Sequence, residues 1–192
     1  MPATGVILWD VSSDPWFTAT SSTVRTLRQR IRSSLFPRIR SFDHVVAFGE
    51  AARIVPEKEL TDYGYGAPYG THLAGAFDLA EALLNGTSGP NRVLTVMYSP
   101  PTIHTDPMGQ RIYNWPPSEE AAAETAQAAA RLGVRAFIDA MIIVPDDDQV
   151  MKVIDAAEDV PFRHRLACTP NTLDREIDIF LTTVGWPVAS ET

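Results

Sequence analysis

Three separate stretches of this 192-residue chain carry oxygen-bearing side chains of the kind that hold a hard metal ion. Asp10, Ser12 and Asp14 follow the apolar run in "VILWDVSSD", Thr71 follows a glycine-rich loop, and Ser99 follows "RVLTVMY". Magnesium takes a few carboxylate and hydroxyl oxygens in octahedral geometry and fills its other positions with water or with an oxygen from a partner. The same acids would serve a metal-assisted phosphoester hydrolase, in which the ion positions a water molecule. Each residue also has an ordinary use. Asp and Ser after a strand bond to nearby backbone amides, and a Thr after Gly caps a helix. Other chemistry lacks its pattern: there is no Walker-type loop, no glycine fingerprint after the first strand, and no His-x-x-x-His pair. His44 and His164 adjoin expected strands, whereas His72 and His104 lie in loops near Thr71 and Ser99. Cys168 reads as a small buried apolar residue.

These residues are useful only if the fold gathers them. Residues 6–9, 44–49, 92–98 and 134–144 are short, nearly continuous apolar runs, the pattern of strands buried on both faces. Residues 52–56 read as a further strand forming a hairpin with 44–49, and 164–168 as a last short one. Helical spacing links Val24, Leu27, Ile31 and Leu35, with Ser22 or Thr23 as cap and Pro37 as stop. It recurs from Thr71 to Asn85-Gly86, from Ser118 to Gly133, over "DDDQVMKVIDAAED" and over 172–184. Between them, 61–70 and the Pro-rich stretch from Ser99 to Pro117 read as loops. Strands alternating with helices predict a three-layer α/β/α fold with a mostly parallel central sheet, in one domain over 1–192. Ligands of such sheets bind beyond the carboxyl ends of the strands, where Asp10, Ser12, Asp14, Thr71 and Ser99 would all lie.

At these residues the chain resembles the von Willebrand factor A-type domains, over nearly its whole length. In that family the first strand ends in Asp-x-Ser-x-Ser, a Thr opens a later helix, and an Asp follows the central strand, together forming the metal ion-dependent adhesion site. Asp10 and Ser12 match the first two positions, and Thr71 in "YGTHLAGAFDLAEALL" is similar to the threonine. "RLGVRAFIDAMIIV" is similar to the family's passage from helix to buried strand. Two positions depart: Asp14 stands where the family has Ser, and Ser99 where it has the later Asp, with Asp106 as a candidate replacement carboxylate. The resemblance implies a non-enzymatic protein-interaction module. A Mg2+ ion held by Asp10, Ser12, Asp14, Thr71 and Ser99 would accept an acidic side chain of the partner. It also implies company such as an ATPase-containing assembly.

Aromatic and histidine side chains cluster in the same loops: Trp16, Phe17, Tyr65, Tyr69, His72, His104, Tyr113 and Trp115. Large rigid rings supply contact area at small entropic cost, so these are the expected partner-binding residues. A structural subunit of a larger particle would use the same surface. The net charge of −8 argues against nucleic acid as partner. Arg25, Arg28, Arg30, Arg32, Arg38 and Arg40 fall in a window without acids and predict one positive face. No apolar run approaches the roughly 20 residues that span a bilayer, and no apolar leader follows a basic segment, so a cytoplasmic location is expected.

Overall fold

A strand that is apolar on both faces must be covered on both faces, and the observed layers follow from that requirement. The computed structural model describes residues 4–12, 21–39, 42–60, 70–143 and 158–186. Strands β1 (Gly5–Asp10), β2 (His44–Phe48), β3 (Ala52–Ile54), β4 (Asn91–Met97), β7 (Ala136–Ile143) and β8 (His164–Cys168) form one sheet in the order β3-β2-β1-β4-β7-β8. All neighbours in it are parallel except β2 and β3, which pair as the expected antiparallel hairpin. Helices α1 (Ser21–Leu35) and α4 (Leu173–Val184) cover one face, and α2 (Leu73–Leu84) and α3 (Glu119–Gly133) the other.

Alternation along β1 divides the core. Ile7 and Trp9 pack with Leu27, Ile31 and Leu35 of α1 and with Ile177 and Leu181 of α4. Val6 and Leu8 pack with Phe77, Ala80 and Leu84 of α2 and with Ala128 and Leu132 of α3. Each fully buried side chain of this size contributes roughly 1.5–3 kcal/mol. At one end of α3 Ser118 caps the helix, its hydroxyl accepting from the Ala121 amide at 3.2 Å, and at the other the helix stops at Gly133. Cys168 is buried, with its thiol pushed up to about 12 by burial and by the nearby Glu176. The helix expected over "DDDQVMKVIDAAED" falls almost wholly outside the described residues, and the side chains of Ser22 and Thr23 are also outside them. Among the described residues, no helix is long and apolar enough to cross a membrane.

One expectation is corrected. The stretch after Ser99 is not a plain loop: Ile103–Thr105 (β5) and Arg111–Tyr113 (β6) form an antiparallel hairpin. Asp106 closes its turn, its Oδ1 accepting from the amides of Met108 (2.9 Å) and Gln110 (2.7 Å), with Gly109 at φ +81°. That carboxylate oxygen is engaged in the turn. Of the described arginines in the N-terminal third, Arg30 is exposed. Arg32 pairs with Glu57, Arg38 pairs with Asp178, and Arg28 is buried.

Candidate functional site

β1 and β4 are neighbours, with Trp9 opposite Val96, so the residues just beyond them leave the sheet side by side. Asp10 ends β1 and turns its carboxylate toward the chain leaving β4. Its Oδ2 accepts from the amides of Tyr98 and Ser99, both at 3.2 Å, and from the Ser99 hydroxyl at 3.1 Å. Its Oδ1 accepts from the amide of Ser12 at 2.8 Å and from the Ser12 hydroxyl at 2.7 Å. The Asp10 carboxylate thus ties two chain exits together across the end of the sheet.

Thr71 arrives from the loop before α2. Its side chain does not cap that helix: His72 occupies the N-cap position without a side-chain cap bond, and the Thr71 hydroxyl lies 2.5 Å from that of Ser99. The Ser12 and Ser99 hydroxyls are 2.9 Å apart. Asp10, Ser12, Thr71 and Ser99 are therefore gathered at one point, with Asp10 1% exposed and the other three fully buried. Asp14 lies outside the described residues.

Two groups that the sequence reading missed complete the cluster. Arg28 of α1 is buried, and its Nη2 donates to the Ser12 carbonyl (2.9 Å) and to the Tyr98 hydroxyl (2.6 Å). The Tyr98 hydroxyl in turn donates to the Ser12 carbonyl at 2.6 Å. A signal for Arg28 was available: it lies between Leu27 and Ile31 and four residues after Val24, on the apolar side of its helix. Burial raises the Asp10 carboxyl above its ordinary range, while hydrogen bonds from Ser12 and Tyr98 and the charge of Arg28 pull it back. Burial and the Asp10 charge raise the Tyr98 hydroxyl, so it stays protonated and able to donate.

The β5–β6 hairpin is fastened to the same point. The Thr71 carbonyl accepts from the amides of Thr102 (3.0 Å) and Ile103 (3.2 Å), and the Thr102 hydroxyl accepts from the Thr71 amide at 2.8 Å. Gly70 holds φ +118°, and a Cβ there would stand 2.8 Å from the side chains of Ile103 and Tyr113, so both conformation and contact call for glycine. Beyond this anchor the hairpin presents Met108 at 82% exposure, with Tyr113 and Trp115 at 40% and 41%.

The other expected partner-binding residues divide. His104 is half-buried, its Nδ1 3.2 Å from Asn114 Nδ2. His72 is buried and turned toward Glu124 at 3.4 Å, with Nδ1 against Gly75, so it offers no docking surface. Trp16, Phe17, Tyr65 and Tyr69 lie outside the described residues.

Among the described residues, no three His, Cys, Asp or Glu side chains gather as a metal site. Among the described residues the oxygen cluster holds a single carboxylate, and its roughly four lone-pair sites already meet five donors. An octahedron with Mg–O bonds of 2.0–2.1 Å has edges of about 2.9 Å. The Ser12–Ser99 spacing matches such an edge, whereas Thr71 and Ser99, 2.5 Å apart, are too close to ligate one ion together. As arranged, the described oxygens do not fit Mg2+.

Comparison with known proteins places this geometry. A protein-family model described as "Rv0959-like protein, vWA domain" matches residues 9–177. A search of the curated proteins finds no match. Among solved structures, the von Willebrand factor type A structure from Catenulispora acidiphila is 16% identical with a TM-score of 0.53, covering 93% of this chain and 41% of its own. Human COPII-coat protein Sec24c is 11% identical with a TM-score of 0.52, covering 95% of this chain and 31% of its own. The von Willebrand factor domain of the type V pili tip protein Mfa5 from Porphyromonas gingivalis is 12% identical with a TM-score of 0.60, covering 100% and 98%. This chain thus spans less than half the length of the first two structures, and at these identities the likeness is one of fold.

Proposed function

The chain belongs to the Rv0959-like family of von Willebrand factor A domains, and from that premise we propose that it is a non-enzymatic module that binds another protein through the loops at the carboxyl end of its sheet. The observation that carries this reading is the β5–β6 hairpin. It is fastened to the backbone of Thr71 and presents Met108, Tyr113 and Trp115 outward. Exposed aromatic and thioether side chains on a rigid support are what protein interfaces use, because little conformational freedom is lost when a partner covers them. Two of the similar structures are named as a coat protein and a pilus tip protein, which suits a role in an assembly. An ATPase-containing complex is the company the family resemblance implies. The hydrolase reading draws no comparable support, since Asp10 is covered and both of its carboxylate oxygens are engaged.

A photo-cross-linking residue placed at Met108, and separately at Val134 at the other end of the molecule, tests the proposal in cells that make the protein. A discrete protein adduct from position 108 that is absent from position 134, and that is lost on Trp115→Ala, is the expected result. An adduct formed at 134 and not at 108 would move the interface away from the loop end.

A further inference from the structure

We propose that the oxygen cluster at the carboxyl end of the sheet is a metal-independent knot whose positive charge is supplied by the chain itself, through Arg28 in the region where the family resemblance implies a divalent cation. Three observations carry this. The first is the charge count. The described groups are one carboxylate (Asp10), one guanidinium (Arg28) and the neutral hydroxyls of Ser12, Thr71, Tyr98 and Ser99, all buried and together neutral. Among the described groups no second carboxylate stands there to balance a divalent ion, and a protein interior strongly resists uncompensated charge away from water.

The second is hydrogen-bond supply. Asp10 already meets five donors, and the Ser12 carbonyl accepts from both Arg28 and Tyr98. For an ion to enter, bonds that now hold the exits of β1 and β4 together would have to break. The third is geometry. The 2.5 Å between the Thr71 and Ser99 hydroxyls is a hydrogen-bond distance and is shorter than an octahedral edge for Mg2+. Arg28 is suited to its place because one planar guanidinium reaches two acceptors at once, the Ser12 carbonyl through Nη2 and the Tyr98 hydroxyl through Nη2 and Nε. Arg28 is therefore a positioning residue, acting on Asp10 and Ser99 through Ser12 and Tyr98.

Thermal unfolding of the full chain in EDTA, in millimolar MgCl2 and in millimolar MnCl2, together with calorimetric titration of each ion, tests the inference. The three melting temperatures should coincide and neither titration should show saturable heat. A cation-induced rise in Tm that disappears in Asp10→Ala would overturn the proposal; a rise of equal size in Asp10→Ala places the ion elsewhere and leaves the cluster metal-free. The positive half is a double-mutant cycle. Arg28→Gln and Asp10→Ala together should lower stability by clearly less than the sum of the two alone, because each removes the partner charge of the other. If Arg28→Gln does not fold, Tyr98→Phe takes its place in the cycle, since it removes one of the two acceptors through which Arg28 reaches the cluster. Additive losses in whichever cycle is measured would overturn the role given to Arg28.

Discussion

Two aspartates of the same sheet are removed from water to the same degree and are held by opposite means. Asp139, midway along β7, faces the guanidinium of Arg163, through Nε at 3.1 Å and Nη2 at 2.7 Å, and the ring of His164, with Nδ1 at 3.0 Å. Arg163 reaches on to the Val184 carbonyl at 2.8 Å and so closes the end of α4. Asp10, at the end of β1, is held by backbone amides and hydroxyls, with Arg28 one step away among the described residues. The paired charges at Asp139 pin a helix to the sheet. The neutral donors around Asp10 join the chain exits of β1 and β4 at the carboxyl end of the sheet.

That contrast can be broken by removing each carboxylate in turn. Asp139→Ala should cost the most, about 3 kcal/mol by urea denaturation, because it strands the Arg163 charge; the partial exposure of Arg163 keeps the loss at the low end for a broken buried pair. Asp10→Ala should cost less, about 2 kcal/mol, because it leaves three amides without an acceptor while relieving the burial of one charge. Equal losses would erase the distinction.

The smallest effect is the pH dependence. Burial raises the Asp10 carboxyl in the folded state, so the folded chain takes up its proton at a higher pH than the unfolded chain. Acidification from neutrality through that raised value toward the ordinary carboxylate range should therefore stabilise the protein relative to Asp10→Ala, an increment lost as pH rises again. Paired denaturant curves at neutral and mildly acidic pH read this difference, and a gap between the two proteins that narrows on acidification would contradict it.

Much of this arrangement was legible in the sequence, for a physical reason. Strands covered on both faces are mostly apolar, as β1, β2, β4 and β7 are; once their order is known, Asp10, Ser12 and Ser99 follow from lying at or just past the end of a strand. Thr71 was legible as the residue between a glycine-rich loop and a helix, although its hydroxyl could equally have capped that helix. The β5–β6 hairpin was hidden because three-residue strands carry almost no periodic signal, and its turn, with Asp106 and Gly109, lay within a stretch rich in proline. Arg28 was hidden among other arginines, and only its place on the apolar side of α1 sets it apart. Asp139 was concealed inside "VRAFIDAMIIV", since an acid in the middle of a buried strand becomes intelligible only when the side chains opposite it, Arg163 and His164, are seen.

Hydrogen exchange at individual amides tests most directly whether the Asp10 carboxylate holds separate stretches of chain together. The amides of Ser12, Tyr98 and Ser99 should exchange slowly in the unmodified protein and lose their protection together in Asp10→Ala, while amides in the middle of β7 keep theirs. Fast exchange at these three amides in the unmodified protein, or protection that survives the loss of the carboxylate, would show that Asp10 does not bind the loops into one structure.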